Sequence, residues 1–147
     1  MSFPRLAVRA AILHRDRLLM VNAWPGQASD LWCLPGGGVK PGRSLPDNLA
    51  REVQEEVGLR INVGAVILVN EFHDPGTGFH QVELIHRATL ISDEGTPLLA
   101  DPEGVVNRAR WVTRAELAGL RHKPDLLARA VWTPHAAWYD PLEEIVI

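Results

Sequence analysis

Apolar residues open the chain in two short bursts, "LAVRAAIL" and "RLLMVNA", set on either side of the polar "HRDR". Bursts of that length around a polar interruption predict a strand, a turn and a second strand. "WPGQASD" reads as a loop ahead of a short strand "LWCL". The ten residues "PGGGVKPGRS" hold four glycines and two prolines. This composition is too flexible and too broken by proline for regular structure, and predicts a loop that feeds a helix.

The helix is signalled at both ends. Ser44 and Asp47 match a capping pattern, Pro46 suits a first turn, and Leu45, Leu49, Val53 and Val57 recur every four residues. Gly58 supplies the stop. Further on, "VGAVILVNEFHD" and "FHQVELIHRATLI" predict two strands made neighbours by the turn "DPGTG". Val82, Leu84, Ala88 and Leu90 alternate in the second of them, which assigns Gln81, Glu83 and Ile85 to its other face. A polar loop "DEGTPLLADPEG", a strand "RARWV", a helix opened by Thr113 and Glu116, and a helical stretch "KPDLLARAVW" complete the outline. Without repeats or a linker, residues 1–147 are expected to form one α/β domain, a mixed sheet with helices on its faces.

Bulk properties narrow the function. A chain of 147 residues buries roughly 70% of its unfolded surface. Hydrophobic residues at 46% and charged residues at 22% are globular values that argue against long disorder. The net charge of −3, without a basic stripe, disfavours nucleic acid and anionic membrane as partners, so phosphate recognition would have to be local. Cys33 is the single cysteine, no run of 18 apolar residues occurs, and the N-terminus lacks a secretory pattern. The expectation is a soluble cytoplasmic protein.

The predicted helix also gathers like charge. In "REVQEEVG", Glu52, Glu55 and Glu56 stand at i, i+3 and i+4, which puts three carboxylates on one side. Such pairs cost roughly 0.2–0.5 kcal/mol each on an exposed helix. Either water screens them or a cation binds among them.

From Gly37 onward, "GGVKPGRSLPDNLAREVQEEVGL" resembles the Nudix box, G-x5-E-x7-R-E-U-x-E-E-x-G-U with U a bulky aliphatic. Gly37, Arg51, Glu52, Val53, Glu55, Glu56, Gly58 and Leu59 meet eight of its nine defined positions. The flanks "LWCLPGGGV" and "ARWVTRAEL" look like the surroundings of that family as well. The departure is Arg43, where the family carries its first box glutamate.

The resemblance implies an α/β/α sandwich and metal-dependent hydrolysis of a diphosphate bond in a nucleoside diphosphate linked to another moiety. It implies Mg2+ or Mn2+, held by Glu52, Glu55, Glu56 and the Gly36 carbonyl, with Arg51 orienting the glutamates. Hard oxygen ligands suit such ions, which neutralise phosphate charge and lower the pKa of bound water. Arg51 is expected to pair with Glu55 or with Asp47, each one turn away. Glu103 is the first choice for the general base, ahead of Asp101 and Glu83. Lys40 and Arg43 offer positive charge to a substrate phosphate, set against a solvated loop role for Arg43.

Trp24, Phe72, Phe79, Trp132, Trp138 and Tyr139 are candidates to stack on a nucleobase, Trp24 foremost. His73, His80 and His86 match no common zinc spacing. A homodimer would use the N-terminal strand or the "EEIVI" tail as an exposed edge. Because of Arg43, the alternative is a non-catalytic nucleotide-binding or regulatory protein of the same fold.

Overall fold

The polar interruption after the first burst closes as a two-residue turn. Arg15 and Asp16 both take positive φ, 51° and 60°, and His14 pairs with Arg17 across them, the backbone twist that joins antiparallel strands most tightly. The computed structural model describes residues 3–133 and 136–147. The strands so joined are β1 (Arg5–His14) and β2 (Arg17–Asn22). β3 is Trp32–Cys33 and β4 is Gly36–Gly38, and helix α1 (Leu45–Val57) follows. The long hairpin β5 (Ile61–Asp74) and β6 (Phe79–Leu90) comes next, then β7 (Ala109–Val112), α2 (Arg114–Ala118), α3 (Leu127–Trp132) and β8 (Trp138–Glu144).

The sheet runs β3-β2-β1-β6-β5-β8, with β4 on β1 and β7 on β2. It is mixed, since β1 lies parallel to β6 and β8 parallel to β5 while the other pairs are antiparallel. On one face α1 packs Leu49, Val53 and Val57 against Val8, Ala10, Ile12 and Ala88. On the other, α2 and α3 bring Leu117, Leu127 and Val131 onto Ala11, Leu68 and Ile85. The result is the α/β/α sandwich. Each fully buried leucine or valine of these layers contributes about 1.5–3 kcal/mol relative to exposure.

Three local expectations change. Gly36–Gly38, read as loop, is a strand paired with Ala7–Arg9, because ladder hydrogen bonds need no side chains. The helical stretch "KPDLLARAVW" is shorter, reduced to Leu127–Trp132. The N-terminal strand is no free edge, since Ala7–Arg9 lie between β4 and β6. The face of β6 opposite Leu84 and Ala88 carries Gln81, Glu83 and Ile85 as expected, with Gln81 and Glu83 only 2% and 6% exposed. Among the described residues no helix is long and apolar enough to cross a membrane.

Candidate active site

The box helix is fixed at both ends as its sequence implies. Ser44 Oγ accepts from the Asp47 amide at 3.1 Å, and Gly58, at φ 67°, donates its N–H to the Gln54 carbonyl. Between these ends α1 lays its glutamates against the glycine strand β4. The Gly36 amide donates to Glu56 Oε2 at 3.1 Å, while the Gly36 carbonyl accepts from Arg9 Nη1 at 3.3 Å. A Cβ on Gly37 would stand 2.6 Å from Glu52 Oε2, so any side chain there would displace the carboxylate from its present position. Glycine is therefore what allows main chain and carboxylate to meet.

Arg51 sits among the acidic groups rather than beside them. Its Nη1 donates to Glu52 Oε1 at 3.1 Å and to Glu55 Oε2 at 3.2 Å, and its Nη2 to Asn48 Oδ1 at 3.3 Å. Of the two partners expected, Glu55 is present, and Asn48 stands where Asp47 was an option. Asn48 also organises the loop before the helix. It is fully buried, its Oδ1 takes the Lys40 amide at 2.9 Å, and its Nδ2 donates to the carbonyls of Arg43 and Ser44 at 3.1 and 2.9 Å. Sequence reasoning missed this residue. The available signal was an asparagine, a poor helix former, inside a helix at a position beside the apolar stripe.

Burial sets the electrostatics. Glu56 is 8% exposed, and burial pushes its carboxyl up to about 8, opposed by Arg9 and the Gly36 amide and reinforced by Glu52 and Asp101. Glu52 is also raised, first by burial, against the pull of Arg51, with Glu55 and Glu103 adding to the rise. Glu103 and Asp101 thus lie close enough to be felt at the box. Asp101 is occupied in shaping its own loop: its carboxylate accepts the amides of Glu103, Val105 and Val106 at 3.0, 3.1 and 2.9 Å. Glu103 is exposed. Glu83 faces elsewhere, held by Arg9 and Gln81.

The remaining candidates separate. The Lys40 and Arg43 side chains are exposed, and neither has an ion-pair partner among the described residues. Trp24 is half-buried, donates Nε1 to the Val146 carbonyl, and borders a cavity with Phe72 and Phe79. Trp132 donates to Asp16, Trp138 lies under Arg129, and Tyr139 donates to Glu71, away from that cavity's lining. His80 contacts Glu71, and His86 Nδ1 lies 2.9 Å from the Gly64 carbonyl.

The donor set fits a hard divalent cation. Glu56 is a buried carboxylate whose ionisation burial opposes, with Gly36 N–H as its protein hydrogen bond. A nearby cation would reverse that cost. Among the described residues no three histidine, cysteine or acidic side chains already converge at coordinating distance. Glu55, 41% exposed at its side chain, is tied to Arg51 and would have to turn to join the other two.

The NUDIX domain family model matches residues 3–135, and the chain belongs to that family. Relatives include the CTP pyrophosphohydrolase of Escherichia coli (strain K12), 32% identical over 77 residues, which are 51% of this chain and 57% of the relative. Diphosphoinositol polyphosphate phosphohydrolase 2 of Rattus norvegicus is 31% identical over 97 residues, 66% of this chain and 48% of that protein. The chain spans about half the length of the curated relatives it matches. A MutT NUDIX hydrolase structure from Burkholderia pseudomallei superposes with a TM-score of 0.71 at 24% identity, covering 88% of this chain and 97% of that one, and shares its fold.

Proposed function

We propose that this chain is a metal-dependent pyrophosphohydrolase that cleaves a diphosphate bond in a small nucleotide-type substrate. The observation that carries this reading is the contact of β4 with α1, where Gly36 and Gly37 bring main chain against Glu56 and Glu52. Family membership, together with the named activities of relatives, supports the reaction class.

Glu52, Glu55 and Glu56 would hold Mg2+ or Mn2+, with the free lone pair of the Gly36 carbonyl as a further oxygen donor. The bound ion would supply charge neutralisation at phosphate and a more acidic water. Arg51 holds Glu52 and Glu55 in place through one guanidinium nitrogen. Glu103 takes the proton of the attacking water from its exposed loop, and Lys40 and Arg43 face phosphate from the loop ahead of the helix. We place the protein in the cytoplasm on its single cysteine and assign pairing of two copies, where it occurs, to the β8 edge.

The test is release of phosphate or nucleotide from nucleoside triphosphates, ADP-ribose, dinucleoside polyphosphates and nucleotide sugars with Mg2+ or Mn2+. Hydrolysis of at least one is expected, and a Glu55→Gln variant should lose most of it while metal-free thermal melting stays nearly unchanged. Silence across the panel with both metals, together with intact ligand after saturable binding, would establish the non-catalytic alternative that Arg43 raises.

A further inference from the structure

β4 lies on β1 so that Gly36 stands opposite Arg9. Beside that pair the Ala10 amide donates to the Pro35 carbonyl at 2.9 Å, and further along the Val39 amide donates to the Leu6 carbonyl at 2.9 Å. Antiparallel strands alternate between bonded and non-bonded pairs, so Gly36 falls at a non-bonded position and its N–H and C=O point away from β1. Both groups are left for side chains. The N–H goes to Glu56 Oε2 at 3.1 Å, and the C=O accepts from Arg9 Nη1 at 3.3 Å. Only glycine can stand there, since φ is 151° and a Cβ would lie 2.0 Å from the Val8 carbonyl oxygen.

Arg9 reaches that carbonyl from the other layer of the sandwich. Its neighbours Val8 and Ala10 pack against α1, so its own side chain leaves the sheet on the opposite face. There Nε donates to Glu83, and Nη1 donates to the Leu34 carbonyl at 3.2 Å as well as to Gly36. Glu83 is itself held, because it is buried and accepts from Gln81 Nε2 at 3.0 Å, while Gln81 accepts from Arg5. The guanidinium is thus fixed at three points.

Gly36 is therefore gripped from both layers, by a carboxylate of the box helix at its nitrogen and by a fixed cation at its oxygen. A carbonyl oxygen has two lone pairs, and Arg9 takes one of them. Pairing with Glu83 alone would need only the Nε bond. The two bonds to main-chain carbonyls go beyond that pairing, and both end on the segment that leads into β4.

Resting on the hydrolase reading, we propose that Arg9 is a positioning residue of the metal site. Its guanidinium fixes the Gly36 carbonyl, and with it the residue whose amide holds Glu56, so that both oxygen donors are aimed before a cation arrives. Outer contacts of this kind are worth about 10–100-fold in metal affinity. Arginine is required for it. A lysine could meet Glu83 as a point charge, but it lacks the planar fork that spans Glu83 and two carbonyls at once.

Calorimetric titration of the metal-free protein with Mn2+ tests this on the wild type and Arg9→Lys. The variant should bind Mn2+ about 10–100-fold more weakly. Its kcat at saturating Mn2+ should return to within about threefold of the wild type, because the loss lies in holding the ion. Arg5→Lys, at a residue bonded to Gln81 and not to Gly36, should bind Mn2+ as the wild type does. If Arg9→Lys does not fold, Arg9→Met combined with Glu83→Met replaces it. That exchange removes the buried pair without changing net charge, which protein interiors tolerate, and the same weakening is expected. A folded variant of either kind that binds Mn2+ within about threefold of the wild type overturns the proposal and reduces Arg9 to the partner of Glu83. Hydrolysis by such a protein spares the catalytic reading. A wild type that binds no Mn2+ sinks both, whereas weakened Mn2+ binding in the variant of a protein that hydrolyses no panel substrate upholds the role of Arg9 and sinks the catalytic reading.

Discussion

Glu52 Oε2 occupies the space that a side chain at Gly37 would need, 2.6 Å from the position of its Cβ. Adding one methyl group must move either the carboxylate or the β4 backbone, and β4 is held on β1. Gly37→Ala should therefore displace Glu52 and lower kcat/KM by at least about tenfold, in the range expected when a metal ligand loses its support. Metal titration by calorimetry should show weakened Mn2+ binding in the same variant. Unchanged metal affinity would show that Glu52 takes no part in it.

Glu56 makes the metal-free protein sensitive to alkali. Its folded-state carboxyl titrates near 8 against an ordinary value of 4.5. Between those values the folded state keeps a proton that the unfolded chain releases, so stability falls as pH rises from about 4.5 to 8. Glu56→Gln keeps the shape without the ionisation. Metal-free Tm of the wild type should decline across that window relative to the variant, and Mg2+ or Mn2+ should restore more of it at pH 8 than at pH 6. Parallel melting curves for the two proteins would refute the coupling.

Asn48 ties the segment from Lys40 to Ser44 to the helix and also holds Arg51. Asn48→Ala removes both ends of this network from a fully buried position. The loss of several buried hydrogen bonds should cost about 2–4 kcal/mol, read from denaturant unfolding. Activity per folded molecule should fall too, because Arg51 loses the contact that positions it. A change below about 0.5 kcal/mol would mean that the loop holds its shape without Asn48.

Where sequence and structure agree, the cause is local chemistry. The cap at Ser44, the stop at Gly58 and the capping box of Thr113 with Glu116 are written in residues only three or four positions apart. The box spacing likewise put Glu52, Glu55 and Glu56 on one side of the helix, and two of these three glutamates share Arg51. What stayed hidden depends on distant chain. Gly36–Gly38 become a strand because β1 offers a ladder to three residues that carry no pattern of their own. Gln81 and Glu83 look like a solvated strand face until Arg5 and Arg9, more than 70 residues away, bind them. Asn70 gives no sign in the sequence of being an unpartnered acceptor, since that follows only from what surrounds it.

Arg43 departs from the box pattern, yet both terminal nitrogens of Arg51 are engaged without residue 43, by Glu52, Glu55 and Asn48, while its Nε is buried without a partner. The Arg43 side chain is exposed, and its carbonyl is the group that Asn48 uses. Arg43→Glu should therefore shift stability by less than about 0.5 kcal/mol, as surface changes do. Its effect on kcat/KM should stay within about tenfold of the wild type. A wild-type enzyme that is silent, rescued by this one substitution, would show that the box glutamate cannot be spared.

Asp101 and Glu103 share one loop but have different work. Asp101 accepts three main-chain amides, so Asp101→Ala leaves those donors without their partner and should destabilise the fold by about 1–3 kcal/mol. Glu103 offers a side chain that bonds to nothing among the described residues, yet its charge reaches Glu52. A general base behaves in that way: it is solvated before substrate arrives and costs little to remove. Glu103→Gln should melt within about 1 °C of the wild type and lower kcat by roughly 10²–10⁴-fold at saturating substrate and metal. A variant with normal kcat would return the proton to a box glutamate.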